Sequence, residues 1–343
     1  MIGISFNKKE FEYDAYTLVK AFYPQEEVEN FYEEDAEEKK VYDLLVRITY
    51  GEDKTHLSLE RDGEIIFGEA ARFKKGQERK ERKNILKQIL YRGLVQETGI
   101  TLPWGNLTGI RPTKIAMGLI ESGMSNAEAA DYMRRTYYTG NAKTALAVTI
   151  ANRERDLLKD IDYQNGYSLY VGIPFCPSIC LYCSFSSSPL ARWRDKVDEY
   201  LDALCRELTY IGETMKVRTL DTIYIGGGTP TTLEPEQLDR LLTHIEACFP
   251  VEQVKEYTVE AGRPDSITRE KLMAIKRHPV TRISVNPQTM NQKTLDLIGR
   301  KHTVEDTKSA FFLARECGFD NINMDLILGL PGETEEAVRR TVE

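Results

Sequence analysis

Apolar and polar residues change rhythm along this chain, and each change predicts a different kind of element. At 41–50, 56–60 and 64–67 apolar side chains recur at every second position, with turn residues at Gly51 and Asp62-Gly63 between the runs. A period of two puts one face of a strand on a core, so this stretch predicts a short antiparallel meander. From Glu78 the spacing lengthens to three and four, and helices are predicted at 78–97, 112–121, 126–136 and 142–159. Ser125 precedes the third of these with Glu128 three residues on, the pattern of a capping box, and Pro112 suits a first helical turn.

After about residue 165 the rhythm becomes strand, loop, helix, repeated. Strands are predicted at 167–173, 221–225, 256–260, 282–285 and 321–327, with amphipathic helices between them. Such alternation implies a parallel sheet with right-handed crossovers, open or closed into a barrel. The unusual residues of this half fall at or beside the C-terminal ends of those strands, the face on which barrel enzymes build their sites. The expected fold class is therefore α/β: a partial parallel (β/α) barrel over 165–343, preceded by a smaller α+β domain over 1–160. Pro331-Gly-Glu-Thr334 opens a last helix and Glu343 stops inside it, so the barrel is expected to be truncated at its C-terminus.

Composition narrows the picture. A length of 343 residues suggests about two domains, and 41% hydrophobic with 29% charged residues fits a globular chain with a sizeable core. No apolar run approaches the ~18 residues that would span a bilayer, and Met1 to Glu10 lacks the basic-then-apolar pattern of a secretory leader, so a cytoplasmic location is expected. The net charge of -8 argues against nucleic acid as a partner. Two local charge runs, acidic at 26–38 and mainly basic at 72–83, read as a solvated loop and a solvated helix start.

Of six cysteines, Cys205, Cys248 and Cys317 are scattered through helix-like stretches and read as small core residues. Cys176, Cys180 and Cys183 are packed into eight residues after a strand, in Tyr170-Val-Gly-Ile-Pro-Phe-Cys176-Pro-Ser-Ile-Cys180-Leu-Tyr-Cys183. Three thiolates at this spacing can hold three irons of a [4Fe-4S] cube and leave the fourth open. A structural zinc site would want four protein ligands, and no fourth Cys or His stands at knuckle spacing. Further along, Gly226-Gly-Gly-Thr229-Pro follows a strand and allows close approach of the backbone to a ligand, whose polar atoms its amides could bond. Glu260 ends an apolar strand and needs a partner, either a ligand or an arginine such as Arg263 or Arg282. No Ser-His-Asp arrangement emerges, and no catalytic acid, base or nucleophile is assigned.

The C-x3-C-x2-C run resembles the signature of the radical S-adenosylmethionine (SAM) enzymes. The order of Gln288, Arg300 and Asp325 after it resembles most closely the oxygen-independent coproporphyrinogen III oxidases (HemN-like) over 165–343, and the segment Leu107-Thr-Gly-Ile-Arg111-Pro-Thr-Lys114 is similar to the extension of their HemZ-type branch. The resemblance implies a [4Fe-4S] cluster held by Cys176, Cys180 and Cys183. It also implies SAM or cluster contacts from Tyr170, Tyr182, Gly227, Gly228, Thr229, Glu260, Gln288, Arg300 and Asp325. In that family the reduced cluster cleaves SAM to a deoxyadenosyl radical, which takes a hydrogen from a propionate side chain. Carbon dioxide then leaves, and coproporphyrinogen III becomes protoporphyrinogen IX. A tetrapyrrole substrate and an electron donor such as flavodoxin or ferredoxin are the partners so implied. A haem chaperone-like relative that binds and transfers haem, or another radical reaction on a tetrapyrrole, are the alternatives. One departure stands out: the better-characterised branch has histidine where this chain has Gly172.

Overall fold

The structure, a computed structural model, describes residues 1–32, 34, 40–51, 54–73, 76–162 and 165–343. The turn expected after Gly51 and much of the acidic run lie partly outside the described residues. The chain divides into two compact units, Met1–Lys159 and Asp160–Glu343.

The first unit opens with β1 (Ile2–Phe6), α1 (Glu12–Phe22) and β2 (Val28–Tyr32), then β3 (Leu44–Tyr50), β4 (Lys54–Arg61) and β5 (Glu64–Arg72). β3 to β5 form the expected antiparallel meander. The first three elements were not anticipated by the pattern. β1 lies between β2 and β3 and runs parallel to both, with all five of its residues buried, the small Gly3 and Ser5 as well as Ile2, Ile4 and Phe6. Ala15, Leu18, Val19 and Phe22 turn one stripe of α1 into the core. Four helices follow: α2 (Arg79–Thr98), α3 (Pro112–Glu121), α4 (Asn126–Tyr137) and α5 (Asn141–Leu158). Ser125 and Glu128 do form the capping box of α4. α2 packs Leu86, Ile89, Leu90 and Leu94 into the sheet core, and Ala116, Met133 and Ala147 belong to a separate small core of α3 to α5.

The second unit is a parallel sheet of β6 (Tyr167–Ile173), β9 (Leu220–Gly227), β10 (Glu256–Gly262), β11 (Arg282–Val285) and β12 (Ile322–Asn323). Between β6 and β9 come two short strands, β7 (Phe175–Cys176) and β8 (Ser188–Pro189), which pair with each other, then α6 (Leu190–Trp193) and α7 (Val197–Thr214). α8 (Pro235–Cys248), α9 (Arg269–Lys276), α10 (Gln292–Leu297), α11 (Val304–Glu316) and α12 (Glu335–Val342) complete it. Spatial order follows chain order throughout, which is the winding of a (β/α) barrel carried part of the way; a doubly wound sheet would reverse. Ile223, Ile225, Val259, Ile283, Leu241 and Leu272 are among the core side chains from strands and helices.

Strand lengths differ from those predicted, and the differences bear on the site. β9 and β10 run on to Gly227 and Gly262, carrying backbone order into the ligand-facing loops. The last strand shrinks to two residues, after which one bridge between Gln288 and Leu326 ties the next loop down. No helix among the described residues is long and apolar enough to cross a membrane.

Candidate functional site

At the C-terminal ends of β6, β9, β10 and β11 lies a cavity of about 350 Å³, within the range of small-molecule sites. Cys176, Cys180 and Cys183 all line it, with Gly227, Gly228, Thr229, Glu260, Gln288, Arg300, Asp325 and Tyr182. Of the residues singled out from the sequence, Tyr170 alone stands outside the lining. Its ring stacks on Tyr224 with centroids 5.9 Å apart. Tyr224, which sequence reasoning passed over, donates its hydroxyl to Glu260 Oε1. Tyr170 therefore buttresses the residue that aims Glu260.

Cys176 ends β7, in a segment whose course is fixed by the glycine run after β9. The Gly228 amide donates to the Ile173 carbonyl at 2.7 Å and the Thr229 amide to the Phe175 carbonyl at 2.8 Å, pinning the segment that presents Cys176. The expectation that these amides serve a ligand is thus corrected: both are spent on the cysteine loop. The Thr229 carbonyl is also occupied, by the Thr232 amide and hydroxyl. The Gly228 carbonyl has no hydrogen-bond partner among the described residues, so it can accept from a ligand ammonium. Gly227 holds φ +105°, and a Cβ on Gly228 would stand 2.6 Å from the Phe175 carbonyl and 3.0 Å from Cys176 Sγ, so both positions require glycine.

Cys176 is buried, and burial pushes its thiol up, against the Thr229 hydroxyl 3.6 Å away and the charge of Arg263. Among the described residues no group of three or more His, Cys, Asp or Glu gathers tightly enough for one metal ion. Thiolates that bind different corners of one cube need not converge on a point, so the arrangement suits a cluster better than a closed zinc site. Cys205, Cys248 and Cys317 do not line the cavity.

Arg263 is the second residue the sequence did not single out for this role. Only 4% exposed, it pairs with Asp265 through both carboxylate oxygens, and its Nη1 donates to the Ser178 carbonyl at 3.0 Å and hydroxyl at 2.9 Å. Cys180 Sγ lies 3.9 Å from the same nitrogen. A buried guanidinium beside the cysteine loop ties that loop to β10 and places a positive charge beside it. Arg282 pairs instead with Glu256 and Asn323. Neither arginine engages Glu260.

Burial pushes the Glu260 carboxyl above its ordinary range and Asp325 adds to this, while the Tyr224 hydrogen bond pulls the other way. Hydroxyl donors from a ligand would relieve such a group. Arg300, 5% exposed, donates to the Asn286 carbonyl at 2.6 Å and the Tyr182 hydroxyl at 3.1 Å, yet its Nε has no partner among the described residues. Asn286 Oδ1 is likewise buried and unpaired. An unpaired donor and an unpaired acceptor, both on residues that line one cavity, are costly unless a ligand completes them. Gln288 holds φ +67°, where non-glycine residues are strained by ~1 kcal/mol or more. Its amide and carbonyl bond Asp325 and Ile327, which keeps it there. Asp325 Oδ1 accepts from Asn323 at 2.8 Å.

Thiols for a cluster, a carbonyl for an ammonium, and unpaired polar atoms for a nucleoside thus meet in one cavity, and the group they fit is a [4Fe-4S] cluster with SAM. The sequence profile of the radical SAM superfamily matches residues 170–343. The chain is 41% identical over 267 residues to the oxygen-independent coproporphyrinogen-III oxidase-like protein HemZ of Bacillus subtilis, covering 77% of this chain and 53% of that protein. It is also 41% identical over 176 residues to the haem chaperone HemW of the same organism, covering 51% and 46%. The solved coproporphyrinogen III oxidase HemN of Escherichia coli is similar at 32% identity with a TM-score of 0.47, covering 52% of this chain and 41% of that one. The chain spans about half the length of the curated relatives it matches. It belongs to the radical SAM superfamily, whose cofactors are a [4Fe-4S] cluster and SAM, and among its members it is similar to the HemN, HemZ and HemW proteins.

Proposed function

We propose that this chain carries the radical-generating part of an enzyme of anaerobic haem biosynthesis, which removes carboxyl groups oxidatively from coproporphyrinogen III propionates to leave vinyl groups. The observation that carries the reading is the meeting of three loop thiols with the unpaired Arg300 Nε and Asn286 Oδ1 around one cavity. Cys176, Cys180 and Cys183 would hold three irons. Bound there and reduced by a low-potential electron donor, cluster and SAM together supply a 5′-deoxyadenosyl radical able to abstract hydrogen from an unactivated carbon.

The remaining work falls to the protein's own residues. The Gly228 carbonyl accepts from the amino group of SAM, and Glu260, aimed by Tyr224, accepts from ribose hydroxyls. Arg300 and Asn286 complete the polar edge of the adenine or ribose, with Tyr182, Gln288 and Asp325 closing the rim. Arg263 holds the cysteine loop in place and keeps a positive charge beside it.

A second reading, a haem chaperone-like protein that retains the cofactor site, is favoured by equal identity to HemW and by Gly172. A Cβ at Gly172 would meet only the Tyr170 ring, at 3.6 Å, beside an open space of about 280 Å³ that Phe185 and Pro174 also line. A side chain fits there and none is present.

Anaerobic incubation of the reconstituted chain with SAM, a low-potential reductant and coproporphyrinogen III separates the readings. Protoporphyrinogen appearing with 5′-deoxyadenosine and methionine, and lost on replacing any one of the three loop cysteines by alanine, establishes the oxidase. SAM cleavage with the porphyrinogen unchanged, together with stoichiometric haem binding, moves the assignment to the chaperone. Absence of SAM cleavage in protein carrying about four irons and sulfide rejects the oxidase, and absence of haem binding rejects the chaperone.

A further inference from the structure

The first unit contains a cavity that the cofactor site does not use. It measures about 680 Å³ and is walled by α1, α2, α3, α4 and the loop Leu107 to Ile110, part of the Leu107–Lys114 motif to which sequence reading gave no role. Lys80, Lys83 and Lys87 enter it from α2 at spacings of three and four, the helical repeat that lines side chains along one face over ~10 Å. Lys114 joins them from the first turn of α3, a turn without an acidic residue.

The balance of charge in this cavity is uneven. Asp14 is the acidic residue of the lining, and it lies 3.4 Å from Lys83. Lys80, Lys87 and Lys114 have no carboxylate at ion-pair distance among the described residues. Lys87 is the telling case, because only 7% of it is exposed and its ammonium meets the Thr108 hydroxyl at 2.8 Å and no other group among the described residues. Thr108 is itself held by Thr17, hydroxyl to hydroxyl, at 2.9 Å. Burial first, and then the charge of Lys83, pulls the Lys87 pKa down to about 8 against the opposing effect of Asp14. A buried ammonium with two protons unused is costly, and lysine is rarely so buried unless paired. In a chain of net charge -8, four lysines against one aspartate around one cavity are not a product of general composition.

We propose that this cavity binds a small polyanion bearing at least two carboxylate or phosphate groups, one of them seated on Lys87 and Thr108 and another on Lys80 and Lys114. Tyr132 and Tyr137 give it an aromatic wall on the side of α4. The proposal does not depend on the cofactor assignment, since no residue is shared between the two cavities.

The test is calorimetric titration of the full chain with inorganic pyrophosphate and, separately, with coproporphyrin III, whose carboxylates supply the other source of the same chemistry. Lys87→Met removes the buried ammonium at similar length, and the exposed pair Lys80→Ala with Lys114→Ala guards against a folding defect in the first variant. Binding of either probe that weakens about tenfold or more in both variants supports the site, as expected when a charge-assisted hydrogen bond is lost. Pyrophosphate binding alone marks a phosphate ligand, and porphyrin binding displaced by pyrophosphate marks a polycarboxylate. No binding of either probe, or binding unchanged in both variants, overturns the proposal. SAM cleavage by reconstituted Lys87→Met should match that of the unaltered chain, so failure here and failure of the cofactor reading are told apart.

Discussion

His302 shows how much one side chain near the cofactor cavity is held in an uncomfortable state. It is 1% exposed, neither ring nitrogen has a partner among the described residues, and its pKa falls to about 4. Burial is the main cause, with the positive charges of Arg300 and Arg263 adding to it and Asp265 opposing. The imidazole is therefore neutral in the folded chain at any pH above that value, whereas the unfolded chain protonates near 6.5. Between those two values the unfolded state binds the extra proton, so stability is full above about pH 6.5 and falls as pH drops towards 4. The loss from this one group is on the order of 3 kcal/mol at most. Denaturant unfolding of His302→Leu at pH 7 and pH 5 should show a smaller drop than the unaltered chain. An identical drop would mean that other groups carry the acid sensitivity. None of this is visible in sequence, where His302 is one of the polar run Arg300-Lys301-His302-Thr303. What makes it unusual is a tertiary enclosure assembled from segments far apart in the chain.

Loops and strands, rather than single residues, set the cofactor geometry, and here the limits of sequence reading have a clear physical cause. The cysteine spacing is local and could be read, as could the glycine run, because turn chemistry and ligand spacing are written within a dozen residues. The clamps that fix the loop are not local. Arg263 reaches the Ser178 carbonyl across 85 positions, and Tyr224 reaches Glu260 across 36. The same holds for β1, whose parallel partners β2 and β3 both lie further along the chain. The Arg263 clamp makes a prediction at this scale. Arg263→Met leaves Asp265 without its ion-pair partner and should cost about 3–5 kcal/mol, the usual result of stranding one member of a buried pair. Adding Asp265→Leu should recover much of that stability. It should not recover iron, because the tether to Ser178 and the charge beside Cys180 remain absent. Iron and sulfide content after reconstitution, read beside the unfolding midpoint, checks both halves. Full iron in the double variant would show that the clamp serves only the fold.

At the scale of the whole chain, two units with separate hydrophobic cores carry separate cavities of different chemistry: thiols, carboxylates and two arginines in Asp160–Glu343, lysines in Met1–Lys159. A ligand that binds only the folded state stabilises what it touches by RT ln(1 + [L]/Kd), about 2.7 kcal/mol at a hundredfold excess over Kd. Applied to two cores, the relation predicts that scanning calorimetry of the reconstituted chain resolves two transitions. SAM should raise one by several degrees and leave the other in place, since about 1 kcal/mol moves the midpoint of a unit of this size by roughly 2–4 °C. Pyrophosphate should do the reverse, and Lys87→Met should abolish its shift without touching that of SAM. A single transition raised by both ligands would show instead that the two units melt as one cooperative body, and that occupancy of the lysine cavity is linked through folding to the cofactor cavity.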